Sequence, residues 1–61
     1  MKSYSFGELT EIGRKKHNLD ENWHCFMAEV IDDQLRYGLS PKDKNGNWLQ
    51  PELYDLVSLK D

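Results

Sequence analysis

The stretch from residue 22 to residue 37 constrains the fold more than any other part of this chain. Its large apolar side chains recur at spacings of three and four: Trp23, Phe26, Met27, Val30, Ile31 and Leu35. At about 100° per residue these side chains fall on one side of a helix. We therefore predict an amphipathic helix that buries this side against the rest of the chain or against a second copy.

An earlier helix is predicted at about residues 5–17. Ser5 and Glu8 have the spacing of a capping box, in which each side chain accepts a hydrogen bond from the other residue's backbone N–H. Basic residues fill positions 14–17, where the negative end of the helix dipole favours cations, and Asn18 tolerates the conformation that ends a helix. The residues expected on its buried side are Phe6, Leu9 and Ile12.

The remaining signals complete an all-α prediction. Asp20 or Asn18 caps the second helix, which ends at Gly38, and Pro51 suits the first position of a third helix. We predict a small three-helix domain: a helical hairpin (about 5–17 and 20–37), a turn-rich loop and a short C-terminal helix (about 51–59). The alternative is an α+β domain with a small hairpin at 37–50.

Two positions do not fit their helices without a special reason. Gly13 weakens a helix by up to ~1 kcal/mol relative to alanine, and close approach of another backbone is a reason to keep it. Gln34 falls near the centre of the apolar side. It is either exposed at the helix end, or bonded to a loop carbonyl or a symmetry mate, or in contact with a partner.

Length and composition permit one domain, residues 1–61, with a thin core. A chain of 61 residues buries only about 60% of the surface that it exposes when unfolded. Two tryptophans, three tyrosines and two phenylalanines nevertheless argue against disorder. Dimerisation would supplement the limited stability of such a domain.

Residue usage also indicates a compartment. Cys25 is the single cysteine, and no apolar leader follows Met1 and Lys2, so we expect a reducing interior such as the cytoplasm. No apolar run approaches the ~20 residues that cross a bilayer. We take Met1 as a native start and the chain as a complete small protein.

No constellation in the sequence indicates catalysis, and we predict no enzyme. His17, His24 and Cys25 lack the spacing of a zinc site, and adjacent helical residues diverge too far to make a nucleophile and its base. The carboxylate pairs at 20–21 and 32–33 are interpreted as solvated helix surface. We therefore expect no metal, no cofactor and no small-molecule substrate.

The basic run offers an alternative function. Leu9, Gly13, a turn at Asn18 and the segment that follows together resemble a helix-turn-helix. On this interpretation the chain is a DNA-binding transcriptional regulator. The residues that would contact nucleic acid are Arg14, Lys15 and Lys16. Against it, a net charge of -3 weakens attraction to phosphate, and the basic run also suits the end of a helix dipole.

The preferred prediction is a non-enzymatic, acidic accessory or regulatory protein of a phage-like or prophage-like kind. It would act through protein–protein contacts, as an adaptor or inhibitor, with another protein or a second copy of itself as partner. Large aromatic side chains are enriched at binding hot spots. The residues predicted to bind the partner are Trp23, Met27, Gln34, Tyr37 and Trp48.

Overall fold

The computed structural model describes all residues, 1–61, and has an α+β fold, so the all-α prediction is wrong. One helix is followed by three strands: α1 (Phe6–His17), β1 (Trp23–Ile31), β2 (Gln34–Pro41) and β3 (Leu53–Ser58). The strands form an antiparallel sheet in the order β1-β2-β3, and α1 packs on one side of it. At 12 residues, α1 is too short and too polar to cross a membrane.

Helix α1 confirms the first predicted element. Ser5 Oγ accepts a hydrogen bond from the N–H of Glu8 at 3.1 Å, and Glu8 Oε1 accepts one from the N–H of Ser5 at 2.8 Å. Asn18 ends the helix in the left-handed region, at a φ of 54°. Leu9 is buried as expected, but Phe6 is 51% exposed, because the sheet contacts the helix on another side.

The second predicted helix, residues 20–37, is instead a β-hairpin made of β1, a turn at residues 32–33 and β2. A β-bulge between Cys25 and Met27 interrupts the two-residue alternation of β1. Both faces of β1 also carry apolar side chains, so its sequence shows no clean inside–outside alternation. The resulting spacings of three and four residues imitate a helix.

The third predicted helix, residues 51–59, is also wrong. Residues 53–58 form β3, in which half-buried and exposed side chains alternate. The α+β alternative names the observed class, but its hairpin at 37–50 is misplaced. That region holds the end of β2 and one isolated bridge between Lys42 and Trp48.

The core lies between α1 and the sheet. Its buried members are Leu9, Cys25, Leu35, Tyr37, Leu39 and Leu59. Gly13 allows α1 to approach closely, since a Cβ at this position would overlap the side chain of Leu39. Close approach was predicted at this glycine, but of another backbone, whereas the neighbour is a side chain of β2.

Candidate functional site

The side of the sheet turned away from α1 is uncovered, and we call it the open face. Antiparallel register assigns positions to it: Gly38 pairs with Met27 on one side and Tyr54 on the other, and Arg36 pairs with Glu29 and Leu56. The strand residues of the open face are Phe26, Met27, Glu29, Ile31, Gln34, Arg36, Gly38, Tyr54 and Leu56. Trp48, from the loop between β2 and β3, packs against them.

An aromatic cluster occupies one end of the open face. The ring of Phe26 lies 5.8 Å from that of Trp48 and 5.9 Å from that of Tyr54, centroid to centroid, and both contacts are edge-to-face. Such pairs contribute about 0.5–1.5 kcal/mol each beyond the burial of their surface. Gly38 makes room for the cluster, because a Cβ there would lie 2.8–2.9 Å from atoms of Phe26 and Tyr54.

Two cations stand over the outer aromatic rings. The guanidinium carbon of Arg36 lies 4.2 Å from the ring centroid of Tyr54, and the Nζ of Lys42 lies 4.4 Å from that of Trp48. Arg36 also forms a salt bridge of 3.2 Å with Glu29. Cation–π contacts at exposed sites contribute about 0.5–1 kcal/mol. They fix the orientation of both rings while leaving their edges exposed.

A carboxylate completes the rim of the cluster. The Tyr54 hydroxyl donates a hydrogen bond of 2.6 Å to Glu52 Oε1, and this bond raises the pKa of Tyr54 above its ordinary value. Tyr54 therefore stays protonated at neutral pH. The rim presents Arg36 and Lys42 beside Glu29 and Glu52, which is two charges of each sign.

The open face is grooved. One hollow, of about 290 Å³, lies at the aromatic end and is lined by Phe26, Ser40, Trp48, Leu49, Gln50 and Glu52. A second, of about 370 Å³, lies toward the other end and is lined by Ile31, Gln34, Arg36, Tyr54, Asp55 and Leu56. Both are open depressions in which apolar and polar lining residues are equally represented, three of each.

The apolar side chains of this surface are exposed to an unusual degree. Five large ones on or beside it are each 42–47% exposed: Ile31, Trp48, Leu49, Tyr54 and Leu56. Antiparallel sheets with one solvated face commonly carry polar residues there. Apolar surfaces bordered by polar groups are a common feature of interaction sites in other proteins.

The structure divides the residues predicted to bind a partner between the two faces. Met27, Gln34 and Trp48 lie on the open face. Trp23 packs against the core on the opposite face, and Tyr37 is fully buried beneath α1. A strand sends alternate residues to opposite sides, whereas the predicted helix placed Trp23, Met27 and Gln34 together on one side.

Tyr37 carries the single buried side-chain polar atom without a hydrogen-bond partner, its hydroxyl oxygen. Burial raises the pKa of this phenol, so the group is uncharged. No hollow of the surface is lined by Tyr37.

Two of the three residues of the DNA-binding alternative make contacts within the chain. Arg14 Nε donates to the carbonyl oxygen of Trp23 at 2.9 Å, and Arg14 Nη2 donates to that of Glu21 at 2.8 Å. Beside it, the Thr10 hydroxyl accepts a hydrogen bond from the N–H of Cys25. Side chains of helix α1 thus form hydrogen bonds with backbone groups of the edge strand β1 and of the segment just before it. Lys15, the third candidate, is exposed.

Lys16 and His17 converge on one carboxylate at the other side of α1. Lys16 Nζ lies 2.8 Å and His17 Nε2 lies 2.7 Å from Asp55 Oδ2. The bond to Lys16, opposed by burial and aided by the N–H of Leu56 and by His17, lowers the pKa of Asp55 to about 2. This cluster joins the end of α1 to β3. Neither Lys16 nor His17 lines any of the four hollows, although Asp55 is among the residues that line the second.

Cys25 is buried, and its thiol donates to the carbonyl oxygen of Met27 at 3.3 Å. Burial raises the pKa of the thiol, which lowers the fraction of the reactive thiolate. No group of three or more His, Cys, Asp or Glu side chains is placed to bind a metal ion. The chemistry that this arrangement supports best is non-covalent recognition on the open face.

Sequence reasoning missed four central residues of the open face: Phe26, Arg36, Tyr54 and Leu56. The signal in residues 53–58 is weak: Tyr54 and Val57 are residue types enriched in strands, but the apolar positions there do not alternate with polar ones. Phe26 of β1 and Tyr54 of β3 are on strands that are not adjacent, and they meet over Gly38 of the strand between them. The bulge in β1 interrupts the alternation of that strand.

Comparison with models of protein families, with characterised proteins and with solved structures finds no match for this chain.

Proposed function

We propose that this chain is a small, non-enzymatic accessory or regulatory protein that acts through protein–protein contacts made by its open face. The observation that carries the proposal is the uncovered aromatic cluster of Phe26, Trp48 and Tyr54 with the apolar groove beside it. The core is complete on the other side of the sheet, so folding of the single chain gives no reason for this surface.

The composition of the open face supports a protein partner. Tryptophan, tyrosine and arginine dominate binding hot spots, and Trp48, Tyr54 and Arg36 are neighbours here. Mixed charges border them, as in the polar rim of a protein interface. By blocking or bridging a surface of its partner, a domain of this size acts as an inhibitor or adaptor. We further propose a reducing compartment such as the cytoplasm, in keeping with the single unpaired Cys25.

Nothing in the site favours the DNA-binding alternative. A helix-turn-helix needs a second helix where this chain has β1, and Arg14 and Lys16 are held by backbone carbonyls and by Asp55. The ring faces of Tyr54 and Trp48 are each covered by a cation on one side, which hinders stacking of bases there.

The proposal is tested by affinity capture from native extract with three baits: the wild type, Trp48→Ala and the control Phe6→Ala. Phe6 is as exposed as Trp48 but lies on α1, away from the open face. We expect a protein that is retained by the wild type and the control and lost with Trp48→Ala. With that protein purified, titration calorimetry should give a dissociation constant raised at least tenfold by Trp48→Ala.

Circular dichroism of each bait establishes that a loss of capture is not a loss of fold. The proposal fails if no captured protein depends on Trp48. It also fails in favour of a DNA-binding regulator if the chain binds a labelled duplex with strong salt dependence and Lys15→Glu abolishes that binding.

A further inference from the structure

We propose that a second copy of this chain covers the open face in the absence of another partner, giving a homodimer whose two sheets pack face to face. This inference rests on the proposed function in one respect, because it assigns a first occupant to the same surface. Three properties of the open face carry it: its size, its charge and its relation to the core.

The size of the molecule is compatible with a dimer interface on the open face. The molecule measures 37 × 18 × 16 Å, so the outline of its broad side is roughly 700 Å², of the same order as the ~800 Å² per partner of a standard interface. Along this side lie apolar side chains that are each nearly half exposed, from Ile31 at the hairpin end to Trp48 at the other. Two such surfaces in contact would interdigitate as in a β-sandwich, with the sheets ~10 Å apart.

The charge of the open face suits a copy of itself. The whole chain has a net charge of -3, but the face is neutral, with Arg36 and Lys42 balanced by Glu29 and Glu52. A two-fold interface brings the same surface from both subunits together, so it must be self-complementary. Arg36 already pairs with Glu29, whereas Lys42 makes no salt bridge within the chain and remains available to a carboxylate of the copy.

The buried core of the single chain lies on one side of the sheet only, and no layer of the fold covers the other side. Six residues form its buried cluster, all on the side of the sheet that faces α1 or at the chain end that packs with it. Domains of this size are commonly supplemented by association. A face-to-face dimer would have the layer order helix, sheet, sheet, helix, and it would give Phe26, Tyr54 and Leu56 a buried environment. Self-association and partner binding would then exclude each other.

The experiment measures the mass of the purified chain by sedimentation equilibrium across a concentration series from about 1 µM to about 1 mM. We expect a reversible rise from the monomer mass of 7.2 kDa to twice that value. Leu56→Lys, which places a charge in the centre of the face, should raise the dissociation constant of the dimer at least 100-fold. The matched control, Phe6→Lys on α1, should leave it within about twofold of wild type.

Amide chemical shifts provide the second measurement, since they also show whether each variant is folded. Wild-type shifts of β2, β3 and Trp48 should change with concentration, and those of Leu56→Lys should not. A wild type that stays monomeric at 1 mM overturns the inference, as does a folded Leu56→Lys that still dimerises. Neither result touches the capture of a different protein through Trp48, so the two proposals can fail separately.

Discussion

The two faces of the sheet carry comparable apolar side chains, yet only one of them forms a core. On the face under α1, Leu39 and Tyr37 of β2 are fully buried. On the open face, Tyr54 and Leu56 of the neighbouring strand β3 remain more than 40% exposed. The difference lies in what covers each face: α1 excludes water from the first, and no element of the chain lies over the second.

This comparison separates side chains that hold the fold from those available for function. A buried leucine stabilises the fold through the transfer of its side chain out of water and through close contacts. Shortening it removes both contributions and leaves a cavity. An exposed leucine on the other face contributes little to folding, and its full hydrophobic energy becomes available only when a partner covers it. These exposed residues are the ones that the proposed association would bury.

The largest expected effect tests the two faces directly. Leu39→Ala should destabilise the chain by about 2–5 kcal/mol, a large part of the ~3–9 kcal/mol expected for a domain of 61 residues. Leu56→Ala should cost about 0.5 kcal/mol or less, because its side chain already contacts water. Urea unfolding followed by circular dichroism at sub-micromolar concentration measures both.

The same two variants, measured at high protein concentration, test whether a second copy covers the open face. If a second copy covers the open face, the cost of Leu56→Ala should grow at millimolar protein, where the dimer is populated, while that of Leu39→Ala stays similar. Equal costs for the two variants at low concentration would show that the open face is already covered within one chain.

A smaller effect is expected from two glycines of α1. Gly13→Ala should destabilise by about 1–3 kcal/mol, since the added Cβ overlaps Leu39 and the helix must move off the sheet. Gly7→Ala is the control: its nearest neighbour is Ser5 Oγ at 3.7 Å, and alanine there should be neutral or stabilise by up to ~1 kcal/mol. Thermal unfolding of both variants gives the comparison, and a stabilising Gly13→Ala would contradict the close contact of α1 with β2.

The smallest effect concerns the ion cluster that joins α1 to β3. Asp55 has a pKa of about 2 in the folded chain against 3.8 ordinarily, chiefly because Lys16 bonds to it. Its contribution to stability is therefore complete above about pH 4 and is lost as the pH falls toward 2. Asp55→Asn should cost about 1–2 kcal/mol at pH 6 and almost nothing near pH 2.

Unfolding of Asp55→Asn and of wild type in urea, repeated between pH 2 and pH 6, measures this difference. Asp61→Asn is the control, because that carboxylate is largely exposed, and its difference from wild type should stay small throughout. A difference for Asp55→Asn that does not shrink below pH 4 would mean that the carboxylate acts through packing rather than through its charge.

An element of this molecule could be predicted when the residues that determine it lie close together in the sequence. The capping box of Ser5 and Glu8 and the left-handed Asn18 involve residues within one turn, so α1 was predicted correctly from one sequence. Close approach at Gly13 was predicted from its place inside the helix, but its neighbour, the side chain of Leu39 in β2, was not. These are local or steric arguments, and they need no knowledge of the sheet.

The strands could not be predicted in the same way. A bulge at Cys25 and Met27 shifts the alternation of β1 by one residue, and apolar side chains on both faces then give helical spacings. The turn at residues 32–33 is a pair of aspartates without glycine, which lacks the strongest hairpin signal. The candidate site was recovered only in part for the same reason: Met27 and Gln34 were assigned to the surface of a helix, and Trp48 was assigned to a loop.

By itself, the sequence determined α1, the limit to one small domain with a thin core and the large apolar surface that needs covering. Tertiary structure alone decided that this surface is split between two faces of a sheet and that α1 covers only one of them. The physical reason is that strands are stabilised by partners distant in the chain: β2 pairs with both β1 and β3, and no local pattern in β2 encodes either neighbour.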